Sequence, residues 1–436
     1  MEYRHLRDAQ EIEVYLEMVR LAFNSSREMG EFWQGIDPIT EENSRGLFDN
    51  EGKMLCGMFI IDGGALYMGT GRPITTALIS AVASPPEQRR KGYIRELFEG
   101  MYAEQRAKGV ALTALYPFYF PFYRSFGYEL AHDAANYVVK MEQFKPWRKA
   151  AEQGRFVPID VERIKKETTM PEGTGDGGKA GESELDKLRA IYSANAARRP
   201  GAVARTRRWW VHKFFHNKDL VPAYIYYNPE GRATGYLMYH FEDKGNWNRE
   251  MVVHEMMSAD LQTQEAIFGF LYNHDSQAEK INFWEPVDSA LATRFPNPRQ
   301  AEVKVEPGYM LRLLDVEGAF RQREFAPEAK GEFTFAVTDG MMPANNGVYR
   351  VRVSEGAAEV DRVAEGAAGG QEGEAARSAG LEMDERTLAQ LYGGYLSPVR
   401  AAAIGHLKVS READLLGMQS ALQPRGQLAA YMFDDF

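Results

Sequence analysis

Apolar residues recur along this chain with two periods, and the change from one to the other predicts its elements. Ala77-Leu-Ile-Ser-Ala-Val-Ala83 is an apolar, partly β-branched run, the pattern of a buried strand. Pro85 and Pro86 end it. Ile94, Leu97, Phe98, Met101 and Tyr102 then fall at i, i+3, i+4, i+7 and i+8, which predicts a helix with one face on a sheet, and Gly109 sits where such a helix stops. Helical and strand patterns alternate in this way from residue 1 to about 145, predicting one α/β domain that closes on a linker near Gln143–Trp147.

Glu167 to Glu184 is polar and Gly-rich with no apolar period, and predicts a mobile loop inside a second domain. Helix patterns at Leu185–Ala197 and Arg205–Phe215 follow, then strand patterns at Ala223–Tyr227, Gly235–Phe241 and Met251–Met257. A helix at Leu261–Asn273 and a strand at Lys280–Trp284 complete a shuffled echo of the first domain. The remainder opens on strand patterns at Glu302–Val305, Met310–Leu314, Glu332–Thr338 and Gly347–Val353, then turns helical at Glu385–Tyr392, Pro398–His406 and Arg411–Leu416. Between these halves, Gly and Ala supply 14 of the 26 residues of Glu355–Gly380, which predicts a solvated loop. That loop lies within one domain, because the strands before it lack a covering layer without the helices after it. The expected domains are 1–145, 146–300 and 301–436, in keeping with 436 residues at roughly 150 per domain.

Charge narrows the partners. With 52 basic and 62 acidic side chains the formal charge is −10, which disfavours nucleic acid and favours cationic ligands. Cys56 is the only cysteine, so an intrachain disulfide and a Cys-rich zinc site are impossible. The N-terminus is polar and no 18-residue apolar run occurs, so a cytoplasmic protein without a membrane partner is expected. Arg205–His216 mixes basic and aromatic residues as nucleic-acid binders do, but Trp210, Val211 and Phe214 are expected to line one helix face, with Arg207 and Arg208 in solvent. His212 and His216 share a face at i, i+4; Lys213 stands where a zincin has Glu and no third ligand is evident, so no metal is expected.

The segment richest in chemistry is Ser84-Pro-Pro-Glu-Gln-Arg-Arg-Lys-Gly-Tyr-Ile94. It joins a strand to a helix through three cations and a glycine, so free N–H groups, a positive dipole end and Arg/Lys side chains converge on one point, which suits a pyrophosphate. A P-loop is ruled out, since no G-x-x-x-x-G-K-[ST] occurs. A Rossmann fingerprint is ruled out too, since Gly69-Thr-Gly71 is followed by Arg-Pro. Arg89-Arg90-Lys91-Gly92 resembles the [R/Q]-x-x-G-x-[G/A] acetyl-CoA motif of GNAT N-acetyltransferases, with Ile94 in place of the small last residue. That departure, the element Tyr123-Arg-Ser-Phe126-Gly127-Tyr128, a three-domain length and an ending on Phe436 together resemble the enhanced intracellular survival (Eis) family.

The resemblance implies an α/β (α+β) fold: tandem GNAT-like domains, the second degenerate, then a sterol carrier protein-like domain that delivers the C-terminus. It implies an acetyl-CoA-dependent N-acetyltransferase acting on primary amines of cationic small molecules such as aminoglycosides. Pantetheine would pair with Val82, Ala83 and Ser84, and pyrophosphate would meet Arg89, Arg90, Lys91, Gly92, Tyr93, Ile94 and Arg95. Leu115–Tyr128 holds eight aromatics in fourteen residues; most suit a core wall, while Phe118 and Tyr119 correspond to further acetyl-CoA contacts. Tyr123 matches the family's general acid, and the α-carboxylate of Phe436 matches its general base. Trp33 and Asp435 match substrate-binding positions, and Asp434 adds negative charge beside the base. A hexamer built as a dimer of trimers is implied as well. In the second domain Asp260 is expected to cap the helix that follows Glu255–Ala259, where Gly and cations are missing, and to repel pyrophosphate. Two other readings remain open from residues alone: a protein lysine acetyltransferase, and a lipid-binding protein without catalysis.

Overall fold

The computed structural model describes residues 1–24, 39–61, 63–169, 183–216, 219–245, 249–365, 379–423, 428–432 and 434. The chain first forms β1 (Glu2–His5), α1 (Ala9–Phe23), β2 (Ser44–Phe48), β3 (Met54–Ile60), β4 (Ala65–Met68) and β5 (Pro73–Ala83). It continues through α2 (Tyr93–Ala107), β6 (Leu112–Leu115), α3 (Phe120–Arg124) and β7 (Glu129–Leu130). The helix expected after Gly92 is α2, and its expected stripe is its buried face: Leu97, Phe98, Met101 and Tyr102 are fully enclosed, with Ile94 packed at the edge.

Next come β8 (Asp133–Lys140), β9 (Arg155–Pro158), α4 (Val161–Thr169), α5 (Glu184–Ala196), β10 (Pro200–Val203), α6 (Arg207–Lys213), β11 (Phe215–His216), β12 (Asp219–Leu220) and β13 (Ala223–Tyr227). Then follow β14 (Ala233–Asp243), β15 (Arg249–Ser258), α7 (Leu261–Tyr272), β16 (Lys280–Pro286), β17 (Ala301–Pro307) and β18 (Met310–Leu313). The last stretch holds α8 (Val316–Gln322), β19 (Gly331–Thr338), β20 (Gly347–Ser354), β21 (Ala357–Glu365), β22 (Leu381–Asp384), α9 (Glu385–Tyr392), α10 (Pro398–Ala403), β23 (Lys408–Val409) and α11 (Glu412–Leu422).

Two compact units result. One comprises Met1–His132, Ala197–Ala204 and Gly308–Phe436. It contains a sheet in the order β1-β2-β3-β5-β6-β18-β7, extended by β4 on β5 and by β10 on β4, and a second sheet in the order β21-β20-β19-β22-β23. β5 and β6 run parallel at the centre of the first sheet, joined by α2. β18, read from sequence as a strand of the last part, instead pairs antiparallel with β6 and β7. Its buried Arg312 forms an ion pair with Asp339, just past β19, and lies over the Tyr102 ring.

The other unit comprises Asp133–Ala196 and Arg205–Pro307. Its sheet runs β17-β8-β16-β15-β14-β13-β9, with β15 and β16 parallel and joined by α7. Gln143–Trp147, expected as a linker, lies within a 3-10 helical stretch, Met141–Glu152, whose Phe144 is buried against Phe268 and Phe283. The basic and aromatic run at Arg205 is also core: Trp209, Trp210 and Phe214 are enclosed, and Arg207 is half-buried rather than in solvent, while Arg208 is exposed. The side chains of His212 and His216 lie outside the described residues.

The Gly- and Ala-rich stretch at 355–380 is not loop throughout, since β21 occupies Ala357–Glu365 and pairs with β20. Alternating Ala358, Val360 and Arg362 supply a strand face that composition alone hides. Residues 366–378 and most of the 167–184 segment lie outside the described residues.

Candidate active site

The site begins where β5 and β6 part. Their parallel pairing ends at Ile79 opposite Leu115, and β5 then runs on through Ala81, Val82 and Ala83 with no strand on that side among the described residues. On its other side β5 carries two residues, Ala81 and Val82, opposite the single Met58 of β3, because Ser80 pairs with Phe59 and Ala83 with Gly57. Such a bulge bends its strand and leaves backbone groups without ladder partners. Ala81 takes φ +50°, in the left-handed region that alanine ordinarily avoids. The Tyr15 hydroxyl of α1 donates to the Ala81 carbonyl at 2.7 Å.

Past Ser84, Pro86–Gln88 forms one 3-10 turn, and Arg90 and Gly92 both take positive φ, +62° and +87°. This brings the start of α2 around with five consecutive donors: among the described residues, the backbone N–H groups of Arg90, Lys91, Gly92, Tyr93 and Ile94 donate to no acceptor. Gly92 takes φ +87°, a backbone conformation that other residues reach only at a cost, and no side chain caps α2. The Arg89, Arg90 and Lys91 side chains beside these donors are exposed, Lys91 donating to Gln88 at 3.0 Å. Five unpaired N–H groups, a helix dipole of 15 residues and three cations make a cradle for a polyanion.

Arg95 points elsewhere. Its guanidinium donates to the Ser125 carbonyl at 3.2 Å, lies 5.7 Å from the Phe126 ring centre and rests on the Met341 sulfur.

On the other arm of the split, β6 leads through Tyr116 and Pro117 to α3. Phe118 and Tyr119 are 68% and 59% exposed, unusual for large aromatics at a helix start. Tyr123, one turn further, is only 4% exposed and is ringed by Phe98, Phe118, Phe122 and Tyr128, with ring centres 5.1 to 6.4 Å away. Burial, helped by Tyr128, pushes its phenol well above the ordinary value of 10. Among the described residues its hydroxyl has no hydrogen-bond partner, and burial keeps it protonated.

Of the other expected site residues, Trp33, Asp435 and Phe436 lie outside the described residues. The segment leading to them is packed: Ala430, Tyr431, Met432 and Asp434 are buried, Asp434 to 2% exposure. The Tyr431 N–H donates to the Pro200 carbonyl at 2.9 Å, Arg199 donates to the Ala429 carbonyl at 3.2 Å, and the Tyr431 ring meets His132 edge-on at 5.7 Å. Two residues escaped the sequence reading. Met341 sits in a loop with no motif, and Tyr15 lies on the apolar face of α1, where an aromatic reads as core.

The second unit reaches its own parallel split, at Val253 opposite Phe283, with a register shift that leaves His254 extra. There the helix start is closed. Asp260 caps α7 by accepting from the Thr263 N–H at 2.7 Å, as expected, and neither Gly nor cation precedes it. One residue past the bulge, Glu255 is buried in a network with Arg205, the Tyr236 hydroxyl at 2.5 Å and Lys213 at 3.7 Å.

Comparison with known proteins assigns both splits to acetyltransferase domains. Residues 2–131 and 201–313 each match an acetyltransferase (GNAT) domain, and residues 316–427 match a sterol carrier protein domain. An uncharacterized N-acetyltransferase of Streptomyces avermitilis is 24% identical over 371 residues, covering 82% of this chain and 80% of that one. This chain is a GNAT-type N-acetyltransferase. Solved structures similar in fold include a GCN5-related N-acetyltransferase from Anabaena variabilis, 20% identical with a TM-score of 0.81, and Eis1 from Mycobacterium abscessus, 21% identical with a TM-score of 0.72. Both span all of this chain and of their own. GNAT domains use acetyl-CoA, and the cradle at α2 belongs to the first of the two in this N-acetyltransferase. Among the described residues no group of three His, Cys, Asp or Glu side chains could hold a metal ion, and no helix is long and apolar enough to cross a membrane.

Proposed function

We propose that this N-acetyltransferase is Eis-like and acetylates primary amines of cationic small molecules, aminoglycosides among them, at the split between β5 and β6. The observation that carries the reading is the cradle of five N–H groups at Arg90–Ile94, set on the same two strands that lead to the Tyr123 hydroxyl, all without a hydrogen-bond partner among the described residues. Acetyl-CoA lies with its pyrophosphate on that cradle under Arg89, Arg90 and Lys91, and its pantetheine alongside Val82, Ala83 and Ser84. Phe118 and Tyr119 border it from the other arm.

In the reaction the neutral amine nitrogen attacks the thioester carbonyl carbon, and the C–N bond forms as the carbonyl oxygen takes up negative charge. The C–S bond then breaks, and the departing thiolate takes the Tyr123 proton. The ammonium proton leaves to the α-carboxylate of Phe436, directly or through water. An ordinary C-terminal carboxylate is a weak base, with a reference pKa of about 3.3–3.7, so enclosure must raise its basicity. Support for that enclosure comes from the burial of Ala430–Met432 and Asp434, which is unlike a frayed terminus. Trp33, Asp434 and Asp435 complete a substrate wall whose negative charge attracts polyamine-like substrates. The second GNAT domain, with Asp260 and Glu255 at its split, binds no CoA.

The test is CoA release with a panel of aminoglycosides, spermine and lysine-containing peptides, using a chain that ends at Phe436 and one extended past it. Free cationic amines turned over, and turnover abolished by extension while acetyl-CoA still binds, is the expected result. Preference for peptides would mean a protein lysine acetyltransferase. Unaffected turnover would place the base elsewhere. By the same resemblance the protein acts in the cytoplasm and its active form is a hexamer, whose mass light scattering checks.

A further inference from the structure

One buried hydroxyl beside the split has no part in the chemistry above. Tyr15 is fully enclosed on α1, which lies over β3 and β5, and its hydroxyl has a single partner among the described residues, the Ala81 carbonyl at 2.7 Å. Burial pushes its phenol well above the ordinary value, so it stays a donor at every working pH.

The partner is not an arbitrary carbonyl. Ala81 is the bulge residue, at φ +50°, two positions past the last pairing with β6. No cis peptide occurs among the described residues, and a trans peptide is planar with its C=O and N–H opposed. A hydroxyl that fixes the Ala81 carbonyl therefore fixes the Val82 N–H, which points the opposite way within the same plane. Room for this contact is built into the sheet. A Cβ on Gly57, the residue paired with Ala83, would stand 2.8 Å from the Tyr15 ring and 3.1 Å from the Arg45 carbonyl.

We infer that Tyr15 is a positioning residue for acetyl transfer. By holding the Ala81 carbonyl it keeps the bulge formed and aims the Val82 N–H at the thioester carbonyl oxygen, which that N–H stabilises as the oxygen becomes an oxyanion. The inference rests on the reading of the β5/β6 split as the acetyl-CoA site. Alanine disfavours φ near +50°, so without the hydroxyl the bulge relaxes toward regular strand and the donor turns away. Phenylalanine at 15 keeps the ring and its packing and removes only the hydrogen bond.

The experiment is isotope-edited infrared spectroscopy of acetyl-CoA carrying a 13C carbonyl, bound to the full chain, with calorimetry alongside. In the natural protein the bound carbonyl stretch moves to lower frequency than in free acetyl-CoA. Tyr15→Phe loses most of that displacement while affinity stays within about threefold, and kcat for a turned-over amine falls about tenfold or more with KM little changed. Tyr15→Phe with Ala81→Gly regains the displacement, because glycine takes positive φ without help. Gly57→Ala, which pushes the ring aside, behaves like Tyr15→Phe.

A full displacement and full kcat in Tyr15→Phe would make Tyr15 a core filler and overturn the inference. So would a loss that Ala81→Gly does not restore. A bound but undisplaced carbonyl in the natural protein would remove the Val82 donor while leaving the cofactor site standing. Failure of the natural protein to bind acetyl-CoA would remove the site and the inference together.

Discussion

At Arg90 one residue does two jobs, which substitution can separate. Its backbone takes φ +62° and its side chain adds charge beside the unpaired N–H groups. Alanine removes the charge and keeps the backbone cost, whereas glycine removes both. We expect Arg90→Ala and Lys91→Ala each to weaken acetyl-CoA binding about tenfold, in a salt-dependent way. Arg90→Gly should be less harmful than Arg90→Ala by about 1 kcal/mol in loop stability, as titration calorimetry and denaturation will show. These residues were legible in the sequence because a strand, a basic turn, a glycine and a helix stood in one line. Tyr123 was legible only through the motif around it, since a lone buried tyrosine reads as core. Tyr15 was not legible at all: its period matches the apolar face of α1, and its meaning comes from the carbonyl of a residue 66 positions away.

Among elements, β18 shows what local pattern omits. Met310–Leu314 reads as a strand, and β18 occupies Met310–Leu313, but β6 as its partner depends on a pairing across nearly two hundred residues, which periodicity does not encode. Arg312 at its centre is completely buried against Asp339, whose carboxylate also accepts from the Met341 and Met342 N–H groups. Removing one partner strands a charge. Arg312→Met should cost about 3–5 kcal/mol in chemical denaturation, and Arg312→Met with Asp339→Leu should recover part of it. Because Met341 touches Arg95, the single variant should also disturb the start of α2. The opposite lesson comes from α7. There Asp260 at the helix start predicts the cap that α7 shows, because capping chemistry is local.

For the whole molecule, the compact unit that contains the cradle also buries Tyr431 against His132. Burial pushes the His132 imidazole down to about 3 from an ordinary 6.5, so it is neutral when folded. Between those values the unfolded chain binds more protons than the folded one. Stability from this site is therefore complete above about pH 6.5 and falls toward about pH 3, by about 1.4 kcal/mol per pH unit. His132→Asn should flatten that slope in denaturation curves between pH 6 and 4, at some cost near neutrality from lost ring packing on Tyr309. The measurement that bears most directly on the first GNAT domain as the catalytic one is turnover by Tyr123→Phe at saturating acetyl-CoA, beside its acetyl-CoA affinity. A fall in kcat of about 100-fold to 1,000-fold, with affinity within about twofold of the natural protein, is predicted. An unchanged kcat would mean that the thiolate takes its proton from another group and that the site is wrongly built.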